Sequence, residues 1–185
     1  MKRSLVVLSL VSLVFAGVVS AEVKKGDVIL DAYAGWTQQN LSDEAAVMTG
    51  GEDSVSLFFG ALRPGYALTD NIRVAGLAGL ARADVLGVSA TVWTLGASGE
   101  YVFMPANTLN PYVGAMFAYA GVNSDATDGN GYLFAPRVGA LYTLNTANNL
   151  FGEFQYQIWG GDVGDVLDAG YMLLFGIEHK FKVGQ

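Results

Sequence analysis

A chain of 185 residues is long enough for one domain, and its 24 glycines, 52% hydrophobic residues and only 15% charged residues favour closely packed strands with an apolar outer face. The net charge of −7 argues against nucleic acid as a partner, because a nucleic-acid-binding domain carries a basic patch. The absence of Cys excludes disulfides and zinc sites built on thiolates.

Residues 1–21 have the features of a cleaved secretory signal peptide. Lys2 and Arg3 form a basic start, Leu5–Val19 an apolar core, and Val19-Ser20-Ala21 a small-x-small cleavage site. An uncleaved membrane anchor is the alternative, which the short apolar core disfavours. Cleavage leaves a domain of residues 22–185 with 8 basic residues (10 less Lys2 and Arg3) against 17 acidic ones, or −9. No later apolar run reaches about 18 residues, so no transmembrane helix is predicted.

Eight segments with two-residue periodicity follow, and each is long enough for the roughly 9–11 residues that a tilted membrane strand needs. In Leu150–Trp159, for example, Phe154 and Tyr156 share one face while Glu153 and Gln155 share the other. The sequence therefore predicts an all-β fold, an eight-stranded antiparallel up-and-down transmembrane β-barrel. The predicted strands are Asp27–Trp36, Val55–Leu68, Ile72–Arg82, Ser89–Phe103, Pro111–Gly121, Tyr132–Leu144, Leu150–Trp159 and Leu167–Phe181.

The connections alternate in kind, which predicts the orientation of the barrel in a Gram-negative-type outer membrane. Bacterial barrels have short periplasmic turns and longer outer loops. We therefore expect both termini in the periplasm. The compact connections are 69–71, 104–110 and 145–149, and the mostly longer, acidic ones are 37–54, 83–88, 122–131 and 160–166.

Charged residues within the strands lie opposite the richer apolar face, and they are too few for a water-exposed exterior. An outer-membrane barrel has this inverted arrangement, with polar residues in a lumen only wide enough for side chains. Opposite charges in that space should pair, with Thr94, Ser98, Gln155 and Gln157 completing the hydrogen bonds. Of the charged residues within the strands, all but Asp31 are expected in the short-turn half of the lumen, with Arg137 at its boundary. The predicted lumen charge network is Asp31, Arg63, Arg73, Glu100, Arg137, Glu153, Glu178 and Lys180.

Aromatic residues near the strand ends predict two girdles at the membrane interfaces. Trp159 is included although its parity is inward, and Arg82 could extend to the headgroups from a strand end. Ordinary strand aromatics are the alternative. The predicted interface aromatics are Trp36, Trp93 and Trp159 at the long-loop rim and Tyr66, Tyr101, Tyr142 and Phe181 at the short-turn rim.

The predicted outer loops are acidic and contain no Lys or Arg, which implies a negative potential at the cell surface. Divalent cations could bridge the carboxylates to one another or to lipid phosphates; generic solubilising loops are the alternative. The acidic residues are Asp43, Glu44, Glu52, Asp53, Asp84, Asp125, Asp128, Asp162, Asp165 and Asp168.

Three segments resemble the small outer-membrane barrels of the OmpA transmembrane-domain, OmpX and Ail type. Residues 65–71 (GYALTDN) resemble the family's second strand entering its first periplasmic turn, and residues 110–114 (NPYVG) resemble a strand that opens after such a turn. Residues 171–181 resemble the aromatic signal read by the barrel-assembly machinery, although four residues follow Phe181. The resemblance implies a monomeric integral outer-membrane protein with outer-membrane lipids and lipopolysaccharide as partners.

No catalytic, cofactor-binding or metal-ligating constellation is present in the sequence. The single His, His179, has lipid-facing parity beside Phe181, with no nearby Ser or Thr on its face. We therefore expect no enzyme and no cofactor. The favoured role is structural or surface-interacting; a narrow cation-preferring pore or gate and a lipid-modifying enzyme are the alternatives.

Overall fold

A computed structural model describes residues 23–48, 51, 54–85, 88–124 and 128–181. Each strand pairs antiparallel with the next, and the first pairs with the last, which confirms the predicted closed eight-stranded barrel. The predicted signal peptide lies outside the described residues. The elements are β1 (Val28–Leu41), α1 (Asp43–Met48), β2 (Ser54–Ala67), β3 (Ile72–Val85), β4 (Val88–Val102), β5 (Leu109–Ser124), β6 (Asp128–Thr143), β7 (Asn148–Gly161) and β8 (Leu167–Phe181).

Side chains alternate between a buried interior and an exposed apolar exterior, as the two-residue period of a strand requires. On β8, Met172 and Leu174 are buried, whereas Leu173 and Phe175 face outward with exposed fractions of 42% and 69%. Outward Phe58 on β2 is 74% exposed. A water-soluble barrel would instead cover its exterior with polar side chains, so this surface is suited to lipid.

Several strands extend farther than the sequence pattern predicted, most of them at the rim away from the chain termini, and β5 and β7 also begin two residues earlier at the other rim. β1 runs to Leu41 rather than Trp36 because Thr37 and Gln39 continue the inward alternation and are buried. The connections at this rim are therefore 42–53, 86–87, 125–127 and 162–166, against 68–71, 103–108 and 144–147 at the other. The expected contrast in connection length holds clearly for the β1–β2 connection, is small for the β7–β8 connection, and is wrong for the β3–β4 and β5–β6 connections.

The β1–β2 connection contains the short helix α1, which was not predicted. Ser42 precedes it, and the Ser42 carbonyl accepts a hydrogen bond of 2.8 Å from the backbone N–H of Ala46, as an N-cap carbonyl does. Asp43 in the first turn stabilises the helix by its negative charge. Among the residues that the structure describes, no helix is both long and apolar enough to span a membrane.

The short turns form because Thr and Asn side chains satisfy backbone N–H groups locally. Thr69 Oγ1 accepts hydrogen bonds from the N–H groups of Asn71 (3.2 Å) and Ile72 (2.9 Å). Asn145 Oδ1 accepts from Ala147 and Asn148, both at 2.9 Å. Val28 pairs with Phe181, so both ends of the barrel chain lie at this rim, which we call the short-turn rim; the opposite one is the loop rim.

Candidate functional site

An ion-pair network crosses the barrel interior near the short-turn rim. Its first half joins β1, β2, β6 and β7. Arg63 Nε lies 2.6 Å from Asp31 Oδ2, and Arg63 Nη1 lies 3.3 Å from Glu153 Oε2. Glu153 Oε2 also lies 3.1 Å from Arg137 Nη1, so one carboxylate joins two guanidiniums. These four side chains are at most 7% exposed.

The second half of the network joins the remaining strands. Arg137 Nη2 lies 2.8 Å from Glu100 Oε2, and Glu100 Oε1 lies 3.4 Å from Arg73 Nη1. Arg73 pairs in turn with Glu178 on β8. The Tyr112 hydroxyl on β5 donates to Glu153 Oε2, so every strand of the barrel contributes a side chain.

The structure therefore brings seven of the eight predicted lumen charges into one connected chain of ion pairs. Lys180 is 4% exposed on the inner face at the same rim. The expectation that Asp31 stands apart in the other half is wrong. β1 runs from Val28 to Leu41, so Asp31, its fourth residue, lies near the short-turn end of the strand. In the register it lies opposite both Arg63 and Glu178.

The uncharged polar residues differ from the prediction in part. Gln155 donates to Glu153 as expected, and Asn149 Nδ2 donates to Glu178 Oε1 at 2.6 Å, a contact that was not predicted. Thr94 Oγ1 and Ser98 Oγ are buried without a hydrogen-bond partner among the described residues. Asn149 and Tyr112 could have been found from their inward parity, since a polar side chain on that face must find a partner.

Above the network, the interior is mostly apolar. The Arg63 guanidinium carbon lies 5.4 Å from the Tyr33 ring centroid and 5.5 Å from that of Phe151, within the range of a cation–π contact. The Tyr33 and Phe151 rings pack edge to face at 5.9 Å. Met116, Leu133 and other buried side chains fill the space around them.

Hydrogen-bonded polar side chains occupy the next level toward the loop rim. They include Trp159, which was predicted to be an interface aromatic. Trp159 Nε1 donates to Gln39 Oε1 at 2.8 Å, and Gln157 is hydrogen-bonded to Gln39 and Thr37. Trp159 therefore lies inside the barrel, as its parity requires, and not among the interface aromatics. The indole N–H needs a partner when buried, and the inward Gln39 supplies it.

A second apolar cluster lies at the loop rim. Val92, Val122, Val163 and Leu167 are buried there, with Val163 only 1% exposed. The described interior residues line a cavity of about 20 Å³ between this cluster and the Tyr33 level and another of about 10 Å³ beside the ion pairs. Each has room for about one water molecule.

The outward aromatics form two levels on the barrel exterior. Trp36 packs against Tyr171 at 5.7 Å and Trp93 against Tyr119 at 5.6 Å. Because the strands extend past them, these indoles lie below the loop rim rather than at it. Tyr101 follows Trp93 by eight residues on β4, which corresponds to about 20 Å along the barrel axis at about 3.3 Å per residue and about 40° of tilt. Exposed at the short-turn level are Tyr66, Tyr101, Tyr142 and Phe181.

The acidic residues gather at the loop rim, although not all of them lie in connections. Asp43 and Glu44 belong to α1, and Asp162 and Asp165 lie in the β7–β8 turn. The remaining three described acids are in strand ends, Asp84 in β3, Asp128 in β6 and Asp168 in β8, because those strands are longer than predicted. Glu52, Asp53 and Asp125 lie outside the described residues. Within the described ranges, no three His, Asp or Glu side chains are grouped so as to hold a metal ion.

His179 lies on the outer face near the short-turn rim. Its Nδ1 is 2.8 Å from Asn148 Oδ1, and its ring packs edge to face on Phe181 at 4.5 Å. Neither contact is with a nucleophile or an orienting carboxylate.

Solved structures with a similar fold are small outer-membrane barrels. The chain is 18% identical to Neisserial surface protein A, with a TM-score of 0.65 over 85% of this chain and 98% of that one. It is 20% identical to the N-terminal β-barrel domain of Pseudomonas aeruginosa OprF, with a TM-score of 0.58 over 85% and 98% of the two chains. For the outer membrane protein OprG of the same organism, the identity is 15% and the TM-score 0.53, over 89% and 100%.

No protein-family model and no curated protein matches the chain. At these identities the likeness concerns the fold. At that level, it confirms the predicted resemblance to the small outer-membrane barrels.

Proposed function

We propose that the protein is an integral outer-membrane barrel with a closed lumen, whose acidic loop rim faces the cell exterior and carries a structural or surface-interaction role. The observation that supports this most directly is the buried ion-pair chain from Asp31 to Glu178 inside a barrel with an apolar exterior. The charged side chains of this network pair with one another, which supports a lumen without a water-filled channel.

A diffusion pore is disfavoured by two features of the interior. Removing one partner of a buried ion pair costs about 3–5 kcal/mol, so an ion could not cross the network without disrupting it at such a cost. At the other end, Val92, Val122 and Leu167 offer no polar group to replace an ion's water. A narrow cation-preferring pore would need both barriers to open together.

The proposed orientation puts both termini in the periplasm. The barrel chain begins and ends at the short-turn rim, where Val28 pairs with Phe181. A chain exported by its signal peptide and inserted from the periplasm would keep this rim on the periplasmic side. The acidic residues would then face lipopolysaccharide, and divalent cations would bridge their carboxylates to its phosphates.

Orientation can be tested by labelling, because the chain contains no Cys. The variant Asp162→Cys places a single thiol in the exposed β7–β8 turn, and Asp70→Cys places one in an exposed turn at the opposite rim. In intact cells, a membrane-impermeant maleimide should label the first variant and not the second. Labelling of Asp70→Cys alone would reverse the orientation.

The closed lumen can be tested with purified, folded protein in planar bilayers. Folding is verified by a faster-migrating gel band that disappears on boiling. We expect no steady single-channel conductance from protein that shows this band. Large, steady openings would overturn the proposal in favour of a pore, and a change in lipid A mass on expression would favour an enzyme.

A further inference from the structure

The membrane-facing surface of the barrel differs between its two halves. Across β1–β4, the barrel wall carries a shallow, open groove with small residues at its floor. Ala32, Gly60 and Ala78 form the outward part of that floor. The walls are formed by four outward side chains, Leu62, Leu80, Trp93 and Leu95.

Strand register creates this groove by placing small residues beside large ones. Leu62 lies between Ala32 on β1 and Ala78 on β3. One level nearer the loop rim, Leu80 lies between Gly60 on β2 and Trp93 on β4. On the other half of the barrel, large side chains lie next to one another at comparable levels, as in the run Phe117, Phe134 and Ile158.

A cation lies one level beyond the loop-rim end of the groove. Arg82 follows Leu80 by two residues on the same face of β3, is exposed, and lies opposite Phe58 and Thr91. This is one level beyond Trp93, and an interfacial indole marks the headgroup depth. The guanidinium therefore lies in the headgroup layer.

Arg82 differs in position from the other described basic residues, which lie inside the barrel or at the short-turn rim. Among the described residues, Arg63, Arg73, Arg137 and Lys180 are buried inside the barrel. Lys24 and Lys25 precede β1 at the short-turn rim. Arg82 is thus the one basic residue that the described part of the chain places on the exterior in the loop half, below a rim of carboxylates.

We propose that this groove binds a phosphorylated lipid of the outer leaflet, with an acyl chain along the groove and a phosphate on Arg82. The guanidinium matches a phosphate with two parallel hydrogen bonds. The rim carboxylates hold a phosphate only through a bridging divalent cation, whereas Arg82 binds it directly, so Arg82 fixes the position of the headgroup. The proposal rests on the proposed membrane location.

Gly60 offers a way to fill the groove without disturbing the barrel. A Cβ placed there would meet no atom closer than Tyr33 O at 3.9 Å, so Gly60→Leu projects into the groove. Gly99 is a matched control on β4: it also faces outward, its nearest atom is Arg73 O at 3.9 Å, and it does not line the groove. Arg82→Gln removes the charge and keeps a long polar side chain.

The experiment is a native mass-spectrometric titration of folded protein in detergent with bisphosphorylated lipid A and with the same lipid after removal of its phosphates. We expect one bound lipid, with the phosphorylated form preferred. Gly60→Leu should weaken binding of both lipids by about fivefold or more, while Gly99→Leu leaves it unchanged. Arg82→Gln should abolish the preference and leave binding of the dephosphorylated lipid unaltered.

Equal binding by the Gly60→Leu and Gly99→Leu variants would overturn the proposal, as would a preference that survives Arg82→Gln. A dimer peak removed by Gly60→Leu would assign the groove to a second copy of the chain instead. If Gly60→Leu lacks the heat-modifiable band, Ala78→Leu fills the same groove. The titration does not depend on which rim faces outward, so its failure is distinct from a failure of the labelling test.

Discussion

Replacing Glu153 with Gln should destabilise the barrel more than any surface substitution. Glu153 is 3% exposed, and its Oε2 accepts hydrogen bonds from Arg63, Arg137 and the Tyr112 hydroxyl. The amide keeps the shape of the side chain but removes the negative charge between two guanidiniums. Leaving a buried ion-pair partner uncompensated costs about 3–5 kcal/mol.

The lower end of that range applies because each guanidinium keeps a second carboxylate. Arg63 remains 2.6 Å from Asp31, and Arg137 remains 2.8 Å from Glu100. We therefore expect Glu153→Gln to lower the free energy of unfolding by about 3 kcal/mol. Urea titration of protein folded in lipid vesicles, followed by Trp fluorescence and by the heat-modifiable band, measures this difference.

The exposed residue Asp168 provides the matched control, since Asp168→Asn makes the same chemical change at the loop rim. That change should stay within about 0.5 kcal/mol. A loss of stability for Glu153→Gln no larger than the control's would refute the reasoning, because it would mean that water solvates the lumen charges. The double variant Glu153→Gln/Arg137→Gln should lose less stability than the sum of the two single variants, since the two residues share one ion pair.

Two further predictions concern packing. In the parent protein, lipids with brominated acyl chains should quench the fluorescence of the outward Trp36 and Trp93. In a Trp36→Phe/Trp93→Phe variant, the same lipids should leave the emission of interior Trp159 nearly unquenched. Strong quenching of this variant would put Trp159 in contact with lipid. Gly96→Ala should cost about 1–3 kcal/mol and deplete the folded band, because its Cβ would lie 2.3 Å from the backbone oxygen of Phe117, whereas Gly99→Ala should be tolerated. Equal stability of the two alanine variants would contradict this packing.

The barrel was predictable because one period governs nearly the whole chain. The alternation in β7 and β8 is sufficient by itself to assign Glu153 and Glu178 to the inner face, and every predicted lumen charge is in fact buried or nearly so. The pairing between specific charges was not predictable, because it depends on register and on the staggering of strands around the barrel. Arg63 meets Glu153 across the lumen, although their strands are not neighbours.

Strand ends were the least predictable feature, since polar residues continue a strand when their partners lie inside. Thr37 and Gln39 look like loop residues in sequence, and only the inward Gln157 and Trp159 explain why the strand continues through them. Helix α1 left a local signal, a Ser followed by Asp and Glu, which the dominant strand period obscured. The groove at Gly60 has no sequence signature, because it arises from residues on four strands.

The pairing of Val28 with Phe181 has a consequence for the order of folding events. Seven of the barrel's seams join strands adjacent in sequence, but the β1–β8 seam closes nearly the whole chain into a ring, at an entropic cost of about 4 kcal/mol. Until it forms, two sheet edges stay open to pairing with other chains. The rate at which the heat-modifiable band appears should therefore follow the formation of this one seam, and slow folding should favour aggregation in proportion to protein concentration.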